Sequence, residues 1–212
     1  SYMFVNKLYK DLDKYNDVFS SSEPFPHIVL DDFIDPLFFE DLTKILKTSE
    51  IVLGKKFNSA VETNKAISLN SKLPEKLNEI INYLNSESWV ENLSKLTKIP
   101  EIFPVTSTNI HLANYHEMRV SGNLAPHVDH SHEPILGKPH VLNIIIYISD
   151  DWDSKLGGNT LLYDKKGKVI KLKIPYKKNR AIIFLHTPYS FHGVEKIKNT
   201  ANVVRKTIYV DY

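Results

Sequence analysis

Apolar residues recur at helical spacing through the first half of the chain and at strand spacing through the second. Tyr9 to Phe19 is polar and aromatic, and Ser20-Ser21-Ser22 with Pro24 and Pro26 ends that stretch. His27-Ile28-Val29-Leu30 reads as a short strand. Asp35-Pro36 then supplies a helix N-cap followed by a proline at the first helical position. Leu37, Phe38, Leu42, Ile45 and Leu46 fall on one side of a helix over residues 36–48. Pro74 opens a second helical stretch whose stripe is Leu77, Ile80, Ile81, Leu84, Val90, Leu93 and Leu96. Both stripes read as core-packing faces.

From Ser107 onward the period shortens. Strands are expected over Thr108–Tyr115, Pro126–His130, Val141–Ile148, Asn159–Tyr163, Val169–Ile174, Ala181–Leu185 and Arg205–Asp211. Pro139, Gly157-Gly158, Gly167 and Pro175 punctuate them, a pattern that suggests a sandwich or barrel. Residues 1–105 are therefore expected to form a helical support with short strands, and residues 106–212 a β core. No internal repeat or low-complexity tract interrupts them.

The 212 residues suggest one domain at about 150 residues per domain. The hydrophobic fraction of 42% is enough for a packed core. A net charge of +2 gives no electrostatic argument for nucleic acid, and the absence of cysteine excludes disulfide scaffolds, zinc ribbons and thiol nucleophiles. No apolar run approaches the roughly 18–20 residues of a membrane span. Ser1-Tyr2-Met3-Phe4 lacks the basic-then-apolar order of a signal peptide, so the expectation is a cytoplasmic protein.

The chemistry concentrates in histidine. In His127-Val128-Asp129, residues two apart on a strand point to one face and can meet one metal ion. His192 follows the strand at 181–185. Two imidazoles and one carboxylate leave three positions open on an octahedral metal, the ligand set of non-haem Fe(II) oxygenases. Zinc hydrolases also use two histidines and a carboxylate, although the helical HExxH spacing is absent; spacing alone leaves iron and zinc undecided. Arg205 lies on the last expected strand, with Thr207 and Tyr209 on its face. An arginine facing into a barrel is costly to bury unless it meets an anion, and its planar fork suits a carboxylate. On the surface it would be an ordinary ion-pair partner.

The ordered set His127-x-Asp129, Tyr147-x-x-x-x-Trp152, Gly157-Gly158, Pro175, Asn179-Arg180 through Phe184, His192 and Arg205 resembles the 2-oxoglutarate/Fe(II)-dependent dioxygenases, in particular their prolyl-4-hydroxylase-like branch. The resemblance covers about residues 108–212 and, more loosely, the Pro24–Val29 entry and the helix after Asp35-Pro36. It implies a double-stranded β-helix, a cupin-like jelly roll, supported by helices: mostly β. It implies that His127, Asp129 and His192 hold Fe(II) as the catalytic centre, that Arg205 pairs with the C5 carboxylate of 2-oxoglutarate aided by Tyr147, and that Tyr115 reaches the C1 end. Asn143, four residues before Tyr147 on the same strand face, is expected to line the cosubstrate pocket. Trp152 is expected to anchor its loop.

The cosubstrates implied are 2-oxoglutarate and O₂, with ascorbate as an accessory reductant and succinate and CO₂ as co-products. The Asp129 ligand leaves no vacancy for chloride, which favours hydroxylation over halogenation. A prolyl residue in a peptide or protein is the substrate the resemblance favours, but the same pattern serves free amino acids, other small molecules and nucleobases. Two other classes remain at this point: a non-oxidative cupin-like metal-binding protein, which would need no anion site, and an inactive interaction module.

His130, His132 and His140 are read as loop or surface residues, residues 130–139 as a lid over the cleft, and Arg119 as a solvated charge. Lysines 165, 166, 168, 171, 173, 177 and 178, with Arg180, form a basic stretch in which Lys171 and Lys173 alternate with Ile170, Leu172 and Ile174; it is read as the solvated face of a hairpin in preference to a surface for nucleic acid or an acidic protein.

Overall fold

The computed structural model describes residues 3–49, 53–57, 62–68, 73–104, 113–129, 131–132, 137–198 and 203–212. Among the described residues, four α-helices, α1 (Asn16–Ser21), α2 (Pro36–Thr48), α3 (Glu75–Leu84) and α4 (Glu87–Thr97), accompany ten strands. The strands are β1 (His27–Leu30), β2 (Leu53–Phe57), β3 (Glu62–Ser68), β4 (Ala113–His127), β5 (Leu142–Tyr147), β6 (Thr160–Tyr163), β7 (Ile170–Ile174), β8 (Ala181–Leu185), β9 (His192–Val194) and β10 (Val204–Asp211). None of the described helices is long and apolar enough to cross a membrane.

Helix α2 has the bounds its sequence predicts. The Asp35 carboxylate accepts from the amides of Leu37 at 3.1 Å and Phe38 at 3.3 Å, two of the donors a helix start leaves unpaired. Its buried face is Phe38, Phe39, Leu42 and Leu46, whereas Leu37, expected in the stripe, is 76% exposed. The stretch after Pro74 is two helices rather than one. Ser86 breaks it, its hydroxyl capping α4 through the Trp89 amide, and the two stripes still share one core.

The strands run in the order β1-β8-β5-β10-β4-β9-β6-β7, with β3 on β4 and β2 on β3, and the pairings are antiparallel. Strand β4 joins the layers of this jelly roll. It pairs with β10 from Ala113 to Arg119, then with β9 at Leu124 and His127, with irregular register between. The sequence suggests two strands over 108–115 and 126–130; residues 108–112 and 130 lie outside the described residues, 113–115 and 126–127 belong to this single bent strand, and 128–129 follow it outside regular structure. Strands β2, β3 and β9 carry no strand-like pattern of their own.

Alternation along the strands decides what faces the site. Leu142, Ile144 and Ile146 of β5, Ala181 and Ile183 of β8, and Ile208 and Val210 of β10 pack against the helices. The opposite face, with Tyr147, Ile182 and Phe184, packs against Leu162 and Ile174 of the second layer. By that parity Arg205, Thr207, Tyr209 and Asp211 of β10 face the interior. Register places Met118 beside Arg205, His116 and Tyr147 beside Thr207, Ile145 beside Tyr209, and Asn143 beside Asp211.

Candidate active site

Three ligand-type side chains converge where β4 ends beside β9. His127 and His192 are direct partners in the β4–β9 register, with ring centroids 4.3 Å apart. Asp129, two residues past the end of β4, places Oδ1 3.2 Å from Nε2 of His127 and Oδ2 3.5 Å from Nε2 of His192. One ligand atom from each of the three lies within 4.8 Å of the others.

The outer nitrogens of both rings are committed. His127 Nδ1–H donates to the Ala125 carbonyl at 2.9 Å, and His192 Nδ1–H to the Ser190 carbonyl at 3.0 Å. Each bond fixes the tautomer with its proton on Nδ1 and leaves the Nε2 lone pair directed at the cluster, as a metal-ligating imidazole requires. Burial opposes ionisation of Asp129, but the positive charge that His192 and His127 offer when protonated outweighs it and holds the carboxyl well below the ordinary carboxylate range, a charge that a bound divalent ion would supply instead. The donor set is two imidazole nitrogens and one carboxylate oxygen brought together where β4 ends beside β9, which suits a divalent ion with open positions.

The second centre is Arg205, 5% exposed. Its Nε donates to the Gly158 carbonyl at 2.6 Å, while Nη2 is buried with no protein partner. The rings of Tyr147 and Tyr176 each lie 5.4 Å from its Cζ and stack on each other at 4.2 Å. Burial pushes both phenols up, Tyr176 to about 12, so neither is a phenolate that would neutralise the guanidinium. The Tyr147 hydroxyl bonds to Thr160 of β6 across the barrel. No carboxylate among the described residues pairs with Arg205. A buried guanidinium in this state is costly unless an anion completes it, and the orphaned Nη2 shows where one would bind.

Glycine makes that pocket possible. Gly158 has φ +71°, and a Cβ there would lie 2.9 Å from Trp152 Cζ2 and 3.1 Å from Arg205 Cδ. Trp152 Nε1–H donates to the Gly157 carbonyl at 3.0 Å and so anchors the loop, as its sequence position suggests.

Tyr115 is not brought to this site. It faces Ile208, on the helix-side face of the sheet, where its hydroxyl donates to Glu117 at 2.7 Å in the apolar core. The residues of β4 on the Arg205 side are His116 and Met118 instead. Asn143 does face inward, but at the metal end: Nδ2 donates to Asp129 Oδ2 at 2.9 Å and Asp211 Oδ1 at 2.5 Å, not to the Arg205 pocket.

His140 is buried, not a surface residue, and stacks on His186 at 4.3 Å; His186 Nε2–H donates to the Asp129 main-chain carbonyl at 3.1 Å. Asp211, His186 and Thr160 were not singled out by sequence. Asp211 was within reach, being six residues from Arg205 and therefore on its strand face. His132 is exposed, Arg119 is exposed and paired with Glu117, and His130 with 133–136 of the expected lid lies outside the described residues. In the lysine hairpin, Lys171 and Lys173 are exposed and Ile174 is buried, but Ile170 is exposed as well, so the expected alternation holds only at the β7 end.

Comparison with known proteins agrees with these features. A sequence model of the 2OG-Fe(II) oxygenase superfamily matches residues 110–210. Among solved structures, the chain is similar to a prolyl hydroxylase from Trichoplax adhaerens in complex with a hypoxia inducible factor oxygen degradation domain peptide fragment: TM-score 0.67, 15% identity, covering 97% of this chain and 90% of that one. A prolyl-4-hydroxylase from Pseudomonas putida gives TM-score 0.66 at 10% identity, covering 93% and 96%. The viral collagen prolyl hydroxylase of Paramecium Bursaria Chlorella virus-1, in its 2OG complex, gives 0.54 at 13%, covering 91% and 96%. No curated protein sequence matches the chain.

Proposed function

Because residues 110–210 belong to the 2OG-Fe(II) oxygenase superfamily, we propose that this Fe(II)- and 2-oxoglutarate-dependent enzyme hydroxylates a prolyl residue within a peptide or protein. Bound iron and 2-oxoglutarate would, with O₂ as the oxidant, supply oxidative decarboxylation of the cosubstrate to succinate and CO₂, one oxygen atom entering succinate and the other the C–H bond that is hydroxylated. His127, Asp129 and His192 are the residues that would hold the metal. Their Nδ1–H bonds to main-chain carbonyls keep both imidazoles in the ligating tautomer.

The observation that carries the proposal is the buried Arg205 with an orphaned Nη2 in the same barrel as the triad. A metal-binding barrel without an anionic cosubstrate has no use for such a residue. Arg205 would take the distal carboxylate of 2-oxoglutarate. Tyr147, protonated and bonded to Thr160, closes the other side of that pocket and excludes water. Prolyl specificity is supported by the likeness of the fold, over nearly the whole chain, to three prolyl hydroxylases.

Two measurements test the two levels. Anaerobic addition of Fe(II) and 2-oxoglutarate should produce a weak visible charge-transfer band that needs both and is lost in Arg205→Ala. Once O₂ is admitted, proline-containing peptides should gain one oxygen atom by mass spectrometry, with equimolar succinate. A band without any peptide product, together with turnover on free amino acids, would retain the chemistry and discard the prolyl substrate.

A further inference from the structure

Beside the triad a second convergence occurs. Ligand-type atoms of Asp129, His140 and Asp211 also lie within 4.8 Å of one another. Two carboxylates this close repel unless positive charge stands between them. Here the neutral Nδ2 amide group of Asn143 stands between them, donating to Asp129 Oδ2 at 2.9 Å and to Asp211 Oδ1 at 2.5 Å, with His140 Nε2 3.7 Å from Asp211 Oδ1. Both of its hydrogens are used, and the place a second cation would take is filled by an amide.

The arrangement fixes which way Asn143 points. Turning the amide over would set its Oδ1 against two carboxylates, so Asp129 and Asp211 together select one orientation. Asn143 is 3% exposed and lies on regular strand, as does Asp211, its register partner on β10. Asp129 lies past the end of β4, where no ladder holds it. Its main-chain carbonyl is held separately by His186.

We infer that Asn143 and Asp211 are positioning residues for the metal ligand Asp129. Asn143 occupies Oδ2 and leaves Oδ1 to the metal, so the carboxylate ligates through one oxygen; Asp211 keeps the Asn143 amide turned the right way. The inference rests on the metal centre proposed above and adds to it the residues that fix ligand geometry. It reassigns Asn143 from the cosubstrate pocket to the metal.

Cobalt(II) is a suitable probe, because its visible spectrum reports coordination number and its titration gives affinity without turnover. The full chain should be titrated as wild type, Asn143→Ala, Asp211→Ala, Asp211→Asn and Arg205→Ala. Loss of a group that orients a ligand lowers metal affinity by about 10–100-fold, the effect expected for Asn143→Ala and Asp211→Ala. The Asn143→Ala spectrum should also change in intensity, as the released Asp129 carboxylate ligates through both oxygens. Asp211→Asn keeps an oxygen that can accept from Asn143 and should restore most of the affinity. Arg205→Ala, outside the metal shell, should bind cobalt as the wild type does.

Wild-type affinity and spectrum in both alanine variants, with metal-free melting showing them folded, would overturn the inference while leaving the metal centre intact. Should Asn143→Ala not fold, the Asp211→Ala and Asp211→Asn pair decides: equal affinities overturn it, and rescue by asparagine supports it. Absence of cobalt binding by the wild type would overturn the proposed centre and this inference together.

Discussion

The Gly158 carbonyl accepts the Nε–H of Arg205 at 2.6 Å, across 47 residues of chain, and the same glycine has no side chain where the arginine stem passes. The Gly157-Gly158 segment therefore aims Arg205 as well as leading from the 3-10 turn at Ser154–Leu156 into β6. Gly158→Ala would place a Cβ 3.1 Å from Arg205 Cδ and 2.9 Å from Trp152, at a φ of +71° that costs an L-residue about 1–2 kcal/mol. That strain is carried by the folded chain with or without ligand, so it should appear as lost stability, while displacement of the Arg205 stem should lower 2-oxoglutarate affinity. Cobalt affinity should stay unchanged. Titrating both ligands on the purified variant checks this, and a parallel loss of cobalt binding would show that the segment supports the whole barrel.

Tyr147 gives a milder, separable effect. Its hydroxyl bonds Thr160, and its ring lies 5.4 Å from the Arg205 guanidinium. Tyr147→Phe removes one neutral hydrogen bond and keeps the ring. At about 0.5–1.5 kcal/mol for such a bond, the KM for 2-oxoglutarate should rise about 2–12-fold with kcat little changed. Steady-state kinetics over a range of 2-oxoglutarate concentrations reads the split directly.

Tyr115 should behave in the opposite way. It packs on the helix side of β4 with its hydroxyl on Glu117, so Tyr115→Phe leaves a buried carboxylate short of a donor. The expected outcome is a loss of about 1–3 kcal/mol in stability with 2-oxoglutarate affinity unchanged. Chemical denaturation with a binding titration on the same variant separates the two. A marked drop in 2-oxoglutarate affinity would mean that Tyr115 turns to the interior after all.

These residues show what is legible in a sequence of this kind. Helix α2 and strand β8 match their expected bounds because the signals are local: a capping Asp35 before Pro36, and an apolar run, Ala181–Leu185, between polar turns. His127, Asp129 and His192 do converge and Arg205 is buried, as side-chain chemistry, which restricts the candidates, leads one to expect. The face of Tyr115 is different, since it depends on the register of β4 against β10, and a one-residue slip reverses every side chain. Gly122 and Pro126 look like strand ends, yet β4 runs through both by shifting its register. Asp211 and His140 owe their burial to the β5–β10 pairing and to the His186 stack, neither of which has a local signature.

Acid should loosen the support of the Tyr147 strand through Asp31. Arg180 donates to Asp31 Oδ1 from Nε at 2.7 Å and to Oδ2 from Nη2 at 3.2 Å, and the Arg180 carbonyl accepts from the Tyr147 amide at 2.9 Å. The bond from Arg180 holds the Asp31 carboxyl below its ordinary 3.8. A folded value below the unfolded one adds stability above the unfolded value, and that stability is lost as pH falls through the folded one. Asp31→Asn should therefore be less stable than wild type at neutral pH, with the difference shrinking from about pH 4 downward. Urea melts of both chains across that range test it; a constant difference would mean the pair contributes shape and no charge.

Metal should stabilise the fold by binding, without being required for it. The apolar core between sheet and helices contains none of the three ligands, so the metal-free chain should melt cooperatively. A ligand that binds only the native state at 100 times its Kd adds about 2.7 kcal/mol. Cobalt at that excess should raise the Tm of the wild type by several degrees, and a chelator should reverse the rise. Asp129→Ala removes the one carboxylate of the proposed metal centre, so its Tm should no longer respond to cobalt. Its metal-free Tm should fall little, because Asp129 lies outside regular structure. If chelation instead unfolded the wild type, or Asp129→Ala failed to fold without metal, the ion would be a structural brace, and the open coordination positions that an oxygenase needs would have to be sought elsewhere.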